Sequence, residues 1–381
     1  MKFNIHSKIL KQELLKHTKI VKVSKVVAIL SYVLLTIKDN TLFITSSDLS
    51  KTLRVPIKLT SPALDGAICV NFDLFSKVVN QLEGDIAISL TESNTLLIKS
   101  GNKEINLNSL PAADFPSFPE ASLSLFSVIG LSLKEAVNRV SFACSNGTSL
   151  AKNGLPLAPV LQGVNFKLNG EHVDLCATNS FYLAYKKLVV NPQPVQFAFT
   201  LHKESLLPVL PLLTIDAIQV TKTDSWVIFS NDNFTYGLRL LDGIYPDYTK
   251  LIPNYSVDRF IGVTVQKQNF KSLISSFCNI VLEKTVSTII LSKQDQQLKI
   301  FYKNPEFGAV QELIIYDKLD SFDDFPDDLQ LEFNVRFMKE VLSNLQGEQI
   351  NLLTKGANTP LLYKESLDND YLILQAPFLK F

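Results

Sequence analysis

The sequence predicts an α+β protein made of three tandem domains of like fold, each with two helices packed on antiparallel sheets. Three observations lead there. Hairpin signals recur at positions 39, 169 and 295, which are 130 and 126 residues apart. A segment with helical apolar spacing precedes each hairpin, and a second one follows it. A third of the 381 residues is 127, within the roughly 100–200 residues of an ordinary domain.

The hairpins are justified by alternation and turn chemistry. Tyr32–Leu49 reads as two alternating apolar runs around Asp39-Asn40. Leu161–Asn179 repeats the layout around Asn169-Gly170, a strong short hairpin signal, and Ser287–Phe301 repeats it near Asp295. The leading helices are expected at Ser7–His17, Ser132–Cys144 and Lys267–Asn279. In the first, Ile9, Leu10, Glu13, Leu14 and His17 fall on one face. The second helices are expected at Phe72–Leu82, His202–Leu213 and Asn334–Leu345, starting 130 and 132 residues apart. Pro208 and Pro211 should shorten or kink the middle one. Alternating strands follow, such as Asp85–Leu90 and Gln349–Leu353. Each third therefore contains two similar halves. Boundaries at Glu120–Ser124, after the Pro- and Asp-containing Leu110–Pro116, and at Pro253–Asp258, after Leu241–Tyr248, set domains of 1–122, 123–255 and 256–381.

Composition narrows the function. Hydrophobic residues make up 46% and Gly only 14 positions, which excludes a disordered chain and a collagen-like rod. The 37 basic and 37 acidic residues cancel, against a protein that coats nucleic acid by bulk charge. The N-terminus shows no signal-peptide pattern and no apolar run is long enough for a membrane helix. Cys69, Cys144, Cys176 and Cys278 are far apart, which suits reduced thiols in a cytoplasmic chain.

No GxSxG, GxGxxG, Walker A or HExxH pattern occurs. Asp323, Asp324, Asp327 and Asp328 read as a solvated turn rather than a metal site. Ser100–Lys103 matches SxxK only nominally, and the sequon Asn146-Gly147-Thr148 has no meaning in a cytoplasmic chain. Neither an enzyme nor a cofactor is indicated.

The cations have a pattern that the net charge hides. Lys8, Gln12, Leu15, Lys19 and Lys22 continue one helical stripe, with Lys25 just beyond. Lys77, Lys134, Arg139, Lys203, Lys271, Arg336 and Lys339 lie on other expected helices, whereas acidic residues gather in turns. Helices facing one way would form a mildly basic surface suited to weak, sequence-neutral phosphate contacts.

In order and spacing, several segments resemble the bacterial DNA polymerase III beta subunit family over essentially the whole chain. They are Met1-Lys2-Phe3, Ile29–Leu35, Thr45–Leu49, Leu110–Pro116, Leu161–Val164, Leu241–Tyr248 and Phe333-Asn334-Val335. The resemblance implies a non-catalytic sliding clamp, a ring-shaped homodimer with helices inside and sheets outside. Such a ring encircles double-stranded DNA in replication as a processivity factor. The cations above, together with Lys152, become the DNA-facing set. The implied dimer joint takes Ile105 and Leu107 from the first domain and Ile280 and Val281 from the third. A hydrophobic pocket for short extended peptides of the replicative polymerase, the clamp loader and repair factors is implied at Leu161, Thr178, Ser180, Tyr182, Leu183, Pro246, Leu251, Leu374, Ala376 and Phe378. Where the family reads Thr-Asp-Gly-x-Arg-Leu, this chain has Thr178-Asn179-Ser180-Phe181-Tyr182-Leu183, and its C-terminus also departs. The alternative is a tandem-repeat scaffold that binds proteins without DNA.

Overall fold

A computed structural model describes residues 1–22, 27–148, 155–254, 258–280, 288–295, 297–304, 308–319, 323–365 and 370–378. In the first third the order is β1 (Lys2–His6), α1 (Ser7–His17), β2 (Tyr32–Lys38), β3 (Thr41–Ser47), β4 (Lys51–Lys58), β5 (Gly66–Asn71), α2 (Phe72–Asn80), β6 (Asp85–Leu90), β7 (Thr95–Ser100) and β8 (Lys103–Pro111). The second third has β9 (Leu123–Ile129), α3 (Gly130–Ser141), β10 (Gly163–Asn169), β11 (His172–Thr178), β12 (Tyr182–Val189), the two-residue β13 (Asn191–Pro192), β14 (Ala198–His202), α4 (Lys203–Leu206), β15 (Ala217–Lys222), β16 (Trp226–Asn231) and β17 (Phe234–Arg239). The last third has β18 (Ile261–Gln266), α5 (Lys267–Ile280), β19 (Thr288–Gln294), β20 (Gln297–Asn304), β21 (Gly308–Ile315), the short β22 (Asp317–Lys318), β23 (Leu331–Asn334), α6 (Val335–Ser343), β24 (Gln349–Thr354), β25 (Leu361–Glu365) and β26 (Tyr371–Gln375). Leaving aside the two short strands, strand–helix–three strands occurs six times. This is the α+β repeat that the sequence predicts.

Local chemistry explains the elements. Asp39 and Asn40 take φ of 51° and 59°, the left-handed pair of a two-residue hairpin loop that short polar side chains tolerate. The second hairpin turns one residue later than expected, because Asn169 still pairs with His172 and Gly170, at φ 64°, begins the loop. Asn71 and Asn334 cap α2 and α6 by accepting from backbone N–H groups of their first turns. Pro208 and Pro211 limit α4 to four residues, followed by a 3-10 turn at Leu207–Leu212. The α1 face is narrower than expected: Leu10, Leu14 and His17 are buried, but Ile9 is 45% exposed.

Two compact units result. One comprises Met1–Lys134, Val190–Phe197 and Leu201–Leu240; the other comprises Glu135–Val189, Ala198–Thr200 and Leu241–Phe381. The first holds a 13-stranded sheet in the order β1-β6-β7-β8-β5-β2-β3-β4-β17-β16-β15-β9-β13. There β4 pairs with β17 from Arg54↔Thr235 to Lys51↔Leu238. Phe3, Leu35, Ile44, Phe75 and Ile86 belong to its buried core, under α1 and α2, which pack side by side. The second unit holds a nine-stranded sheet, β14-β10-β11-β12-β26-β25-β24-β18-β22, and a four-stranded one, β21-β20-β19-β23. There β12 pairs with β26 from Tyr182↔Gln375 to Lys186↔Tyr371. Beside these sheets α5 packs against α6, burying Phe270, Ile274 and Phe277 on one and Met338, Val341 and Leu342 on the other.

Among the described residues no helix is long and apolar enough to cross a membrane. Cys69, Cys144 and Cys176 are buried free thiols and Cys278 is half-buried. Burial pushes the Cys69 thiol up to about 12, so it is inert at neutral pH.

Candidate functional site

The β11–β12 connection builds one wall of an apolar groove in the second unit. Asn179 Oδ1 accepts from the N–H groups of Phe181 and Tyr182, both at 3.0 Å. Thr178 Oγ1 donates to the Tyr182 carbonyl at 2.8 Å and accepts from Ser180 N–H at 3.1 Å. These bonds hold Ser180 at φ 73°, a left-handed conformation that a side chain ordinarily resists. Asn179 and Thr178 thus secure a left-handed turn at Ser180.

Aromatic rings back this wall. Phe181 stacks on Phe337 with centroids 4.8 Å apart, and Tyr182 stacks on Phe142 at 5.9 Å. Burial first, and then Glu340, push the Tyr182 hydroxyl well above its usual range, so it stays neutral. The second wall is the loop before β18. Tyr248 is buried there against Tyr245 and Tyr185, and Tyr245 Oη donates to the Cys176 carbonyl at 3.3 Å. Asp247 Oδ1 accepts from Thr249 N–H and Oγ1, which holds its exposed carboxyl below the usual range. The β26 end closes the groove, with Leu374 opposite Leu183 in the ladder and Ala376 N–H donating to the Phe181 carbonyl at 2.8 Å.

The groove encloses about 200 Å³ and brings together Thr178, Ser180, Tyr182, Leu183, Pro246, Leu251, Leu374 and Ala376. Those are eight of the ten expected positions. The other two lie elsewhere. Leu161 is buried in a 3-10 turn, where its carbonyl accepts from Ser145 N–H, and does not line the groove. Phe378 donates its N–H to Glu332 and lines a separate cavity with Ile290 and Phe333. Phe181, Asp247, Tyr248 and Pro360 also line the groove, unforeseen. The aromatic density of 178–183 and 245–248 was the available signal. Among the described residues Asp247 is its one charged lining residue.

The cations divide by environment. Lys8, Arg336 and Lys339 are exposed on α1 and α6. Helix α1 ends at His17, so Lys19 lies in the following turn and Lys22 just past it, rather than on a continued stripe. Lys22 reaches the buried Asp48 carboxylate at 3.0 Å, which Lys51 also contacts at 2.9 Å. Burial acts to raise the Asp48 carboxyl, but hydrogen bonds from Ser50, Lys51 and Lys22 outweigh it and hold the group well below its usual range. Lys77 pairs with Asp73 on α2 at 2.7 Å. Lys134, Lys203 and Lys271 are half-buried.

Arg139 is a correction to the phosphate-contact set. It is 4% exposed, pairs with Glu365 at 2.5 Å and lies 3.7 Å over the Tyr371 ring. A guanidinium so enclosed is not presented to a phosphate. Lys25 and Lys152 lie outside the described residues.

Ile105 and Leu107 are half-buried against the first unit's core. Over Lys103–Asn108 their strand β8 pairs only with β7 among the described residues, which leaves that stretch open on its other side. Ile280 ends α5 at 43% exposure, and Val281 lies outside the described residues. Among the described residues β21 is one edge of the four-stranded sheet, with Leu313 and Ile315 exposed. The acidic loop is partly neutralised by Lys293, 3.1 Å from Asp324 and 3.4 Å from Asp327. No group of three metal-ligating side chains occurs among the described residues.

Three family models cover nearly the whole chain: DNA polymerase III beta subunit N-terminal domain at residues 1–119, central domain at 128–247 and C-terminal domain at 250–378. The chain belongs to the DNA polymerase III beta subunit family. The beta sliding clamp of Bacillus subtilis (strain 168) is 28% identical over 316 residues, covering 81% of this chain and 79% of its relative. That of Staphylococcus aureus (strain Mu50) is 25% identical over 351 residues, 89% of each. The crystal structure of the Bacillus subtilis sliding clamp covers all of both chains with a TM-score of 0.85 at 25% identity. The three tandem domains are clamp domains. Beta subunits are non-catalytic accessory subunits of DNA polymerase III, and the function of this chain is that of a polymerase processivity clamp.

Proposed function

We propose that two copies close head to tail into a ring around double-stranded DNA in the cytoplasm, with domains divided at 122 and 255. The groove around Leu183 and Leu251 takes a short extended peptide of the replicative polymerase, the clamp loader or a repair factor. Lys8, Lys19, Lys22, Lys77, Lys134, Lys203, Lys271, Arg336 and Lys339 supply weak phosphate contacts, and no cofactor takes part. Enclosure holds the DNA by topology, so weak contacts suffice and tight ones would act as a brake. The observation that carries this reading is the groove itself. Apolar residues from 178–183, 246–251 and 360–376 converge there on a space that fits a few side-chain anchors.

The test is retention after loading. The ring stays on nicked circular DNA and runs off the same DNA once it is linearised. Equal loss from both templates refutes enclosure and favours a protein-binding scaffold.

A further inference from the structure

We propose that a second groove, beside Trp226, docks an extended peptide with a large apolar anchor next to a single carboxylate. This rests on reading the Leu183 groove as a peptide site, and it extends that reading to a place where sequence and chemistry differ.

The second groove lies within the first unit and encloses about 590 Å³. It is assembled from the same parts as the Leu183 groove, one repeat earlier. Leu49 joins β3 to β4 as Ser180 joins β11 to β12, and both are left-handed, at φ 71° and 73°. Pro116 and Pro246 stand in the loop that closes each groove. The far wall comes from the last two strands of the following third of the chain. Trp226 and Arg239 supply it here, at the start of β16 and the end of β17; Pro360 and Ala376 supply it there, flanking β25 and β26. Gly237 makes the floor possible. A Cβ on it would meet Thr52 Cγ2 at 2.9 Å and Pro119 Cγ at 3.1 Å, so a larger residue would push the walls apart.

The lining differs in a way that defines the occupant. Leu49 is 45% exposed in a conformation unfavourable for a side chain, so it adds little to folding but gives the groove an apolar wall. With the indole and two prolines, it suits a flat or branched apolar anchor. Arg239 pairs with Trp226 across the ladder and is exposed. Its guanidinium fork matches one carboxylate. Asp224 and Glu120 also line the groove, so a run of acidic residues is repelled.

Trp226 is the one tryptophan of the chain, so its emission reports this groove directly. The probe is the tryptophan-free peptide acetyl-Ala-Asp-Leu-Phe-Ala amide, with a fluorescein-labelled copy followed by anisotropy, on the full-length protein. We expect a saturable change in Trp226 emission at submillimolar peptide. Arg239→Glu, or Asn for the peptide's Asp, should weaken it about tenfold or more, and Leu183→Ala should leave it unchanged. A silent Trp226 up to about 5 mM peptide, or a response indifferent to both charge changes, overturns the inference. Anisotropy lost in Leu183→Ala beside a silent Trp226 keeps the first groove and removes this one. A Trp226 response with anisotropy indifferent to Leu183→Ala does the reverse.

Discussion

Arg139 follows Ala136 by three residues and precedes Val140 by one, and both neighbours are fully buried on α3. Its position on the helix therefore directs it inward, although its residue type suggests a solvent-facing cation. Removing one partner of a buried ion pair strands the other, so Arg139→Ala should cost about 3–5 kcal/mol of stability. Urea melts check this, and Arg139→Met with Glu365→Leu should recover most of the loss. His17 is a second side chain whose role burial decides. It is enclosed beside Ser46, with Nδ1 2.7 Å from the hydroxyl. Burial, then Lys16, lowers it from its ordinary 6.5 to about 3. The unfolded chain takes up the proton first as pH falls. Stability is therefore fully present above about 6.5 and declines towards pH 3, at up to roughly 1.4 kcal/mol per unit. Melts between pH 7 and 4.5 should show this slope, and it should flatten in His17→Leu. Sequence spacing correctly placed His17 on the buried face. It could not place Arg139, because Glu365 and the Tyr371 ring lie more than two hundred residues away and long-range partners leave no periodic trace.

At the scale of elements, the hairpins and helices were legible because local chemistry determines them. Asp39-Asn40, the prolines at 208 and 211 and the caps Asn71 and Asn334 all act within a few residues. The groove was legible only through resemblance, since its walls come from three distant segments. Even so, Phe181 and Tyr248 were missed. The open edges were the least legible, because an unpaired strand reads like a paired one. Strand β21 shows this: its exposed Leu313 and Ile315 lie on an edge that alternation alone does not reveal. Leu313→Asp with Ile315→Asp should leave the monomer folded, since both side chains are exposed. If β21 belongs to the joint between copies, native mass should shift from two subunits towards one. An unchanged dimer would move the joint elsewhere.

For the molecule as a whole, zero net charge is compatible with a DNA partner if the exposed lysines face it and their acidic counterparts do not. Salt dependence tests this. Each phosphate contact contributes about 0.9 to the slope of log affinity against log salt. Lys8→Glu with Lys19→Glu should flatten the slope for weak duplex binding by about two, while retention on nicked circles at low salt declines modestly. An unchanged slope places both residues away from the DNA. The ladders from Arg54 to Thr235 and from Tyr182 to Gln375 have one more consequence. A sheet that runs unbroken across a domain boundary is mechanically a torsion plate rather than a hinge. It yields through small changes of twist shared among many strands, whereas opening it at one line requires a row of ladder bonds to part together. Flexure of each unit should therefore be distributed and elastic, and the boundary that appears plainly in the sequence repeat should be hard to find as a weak point under load.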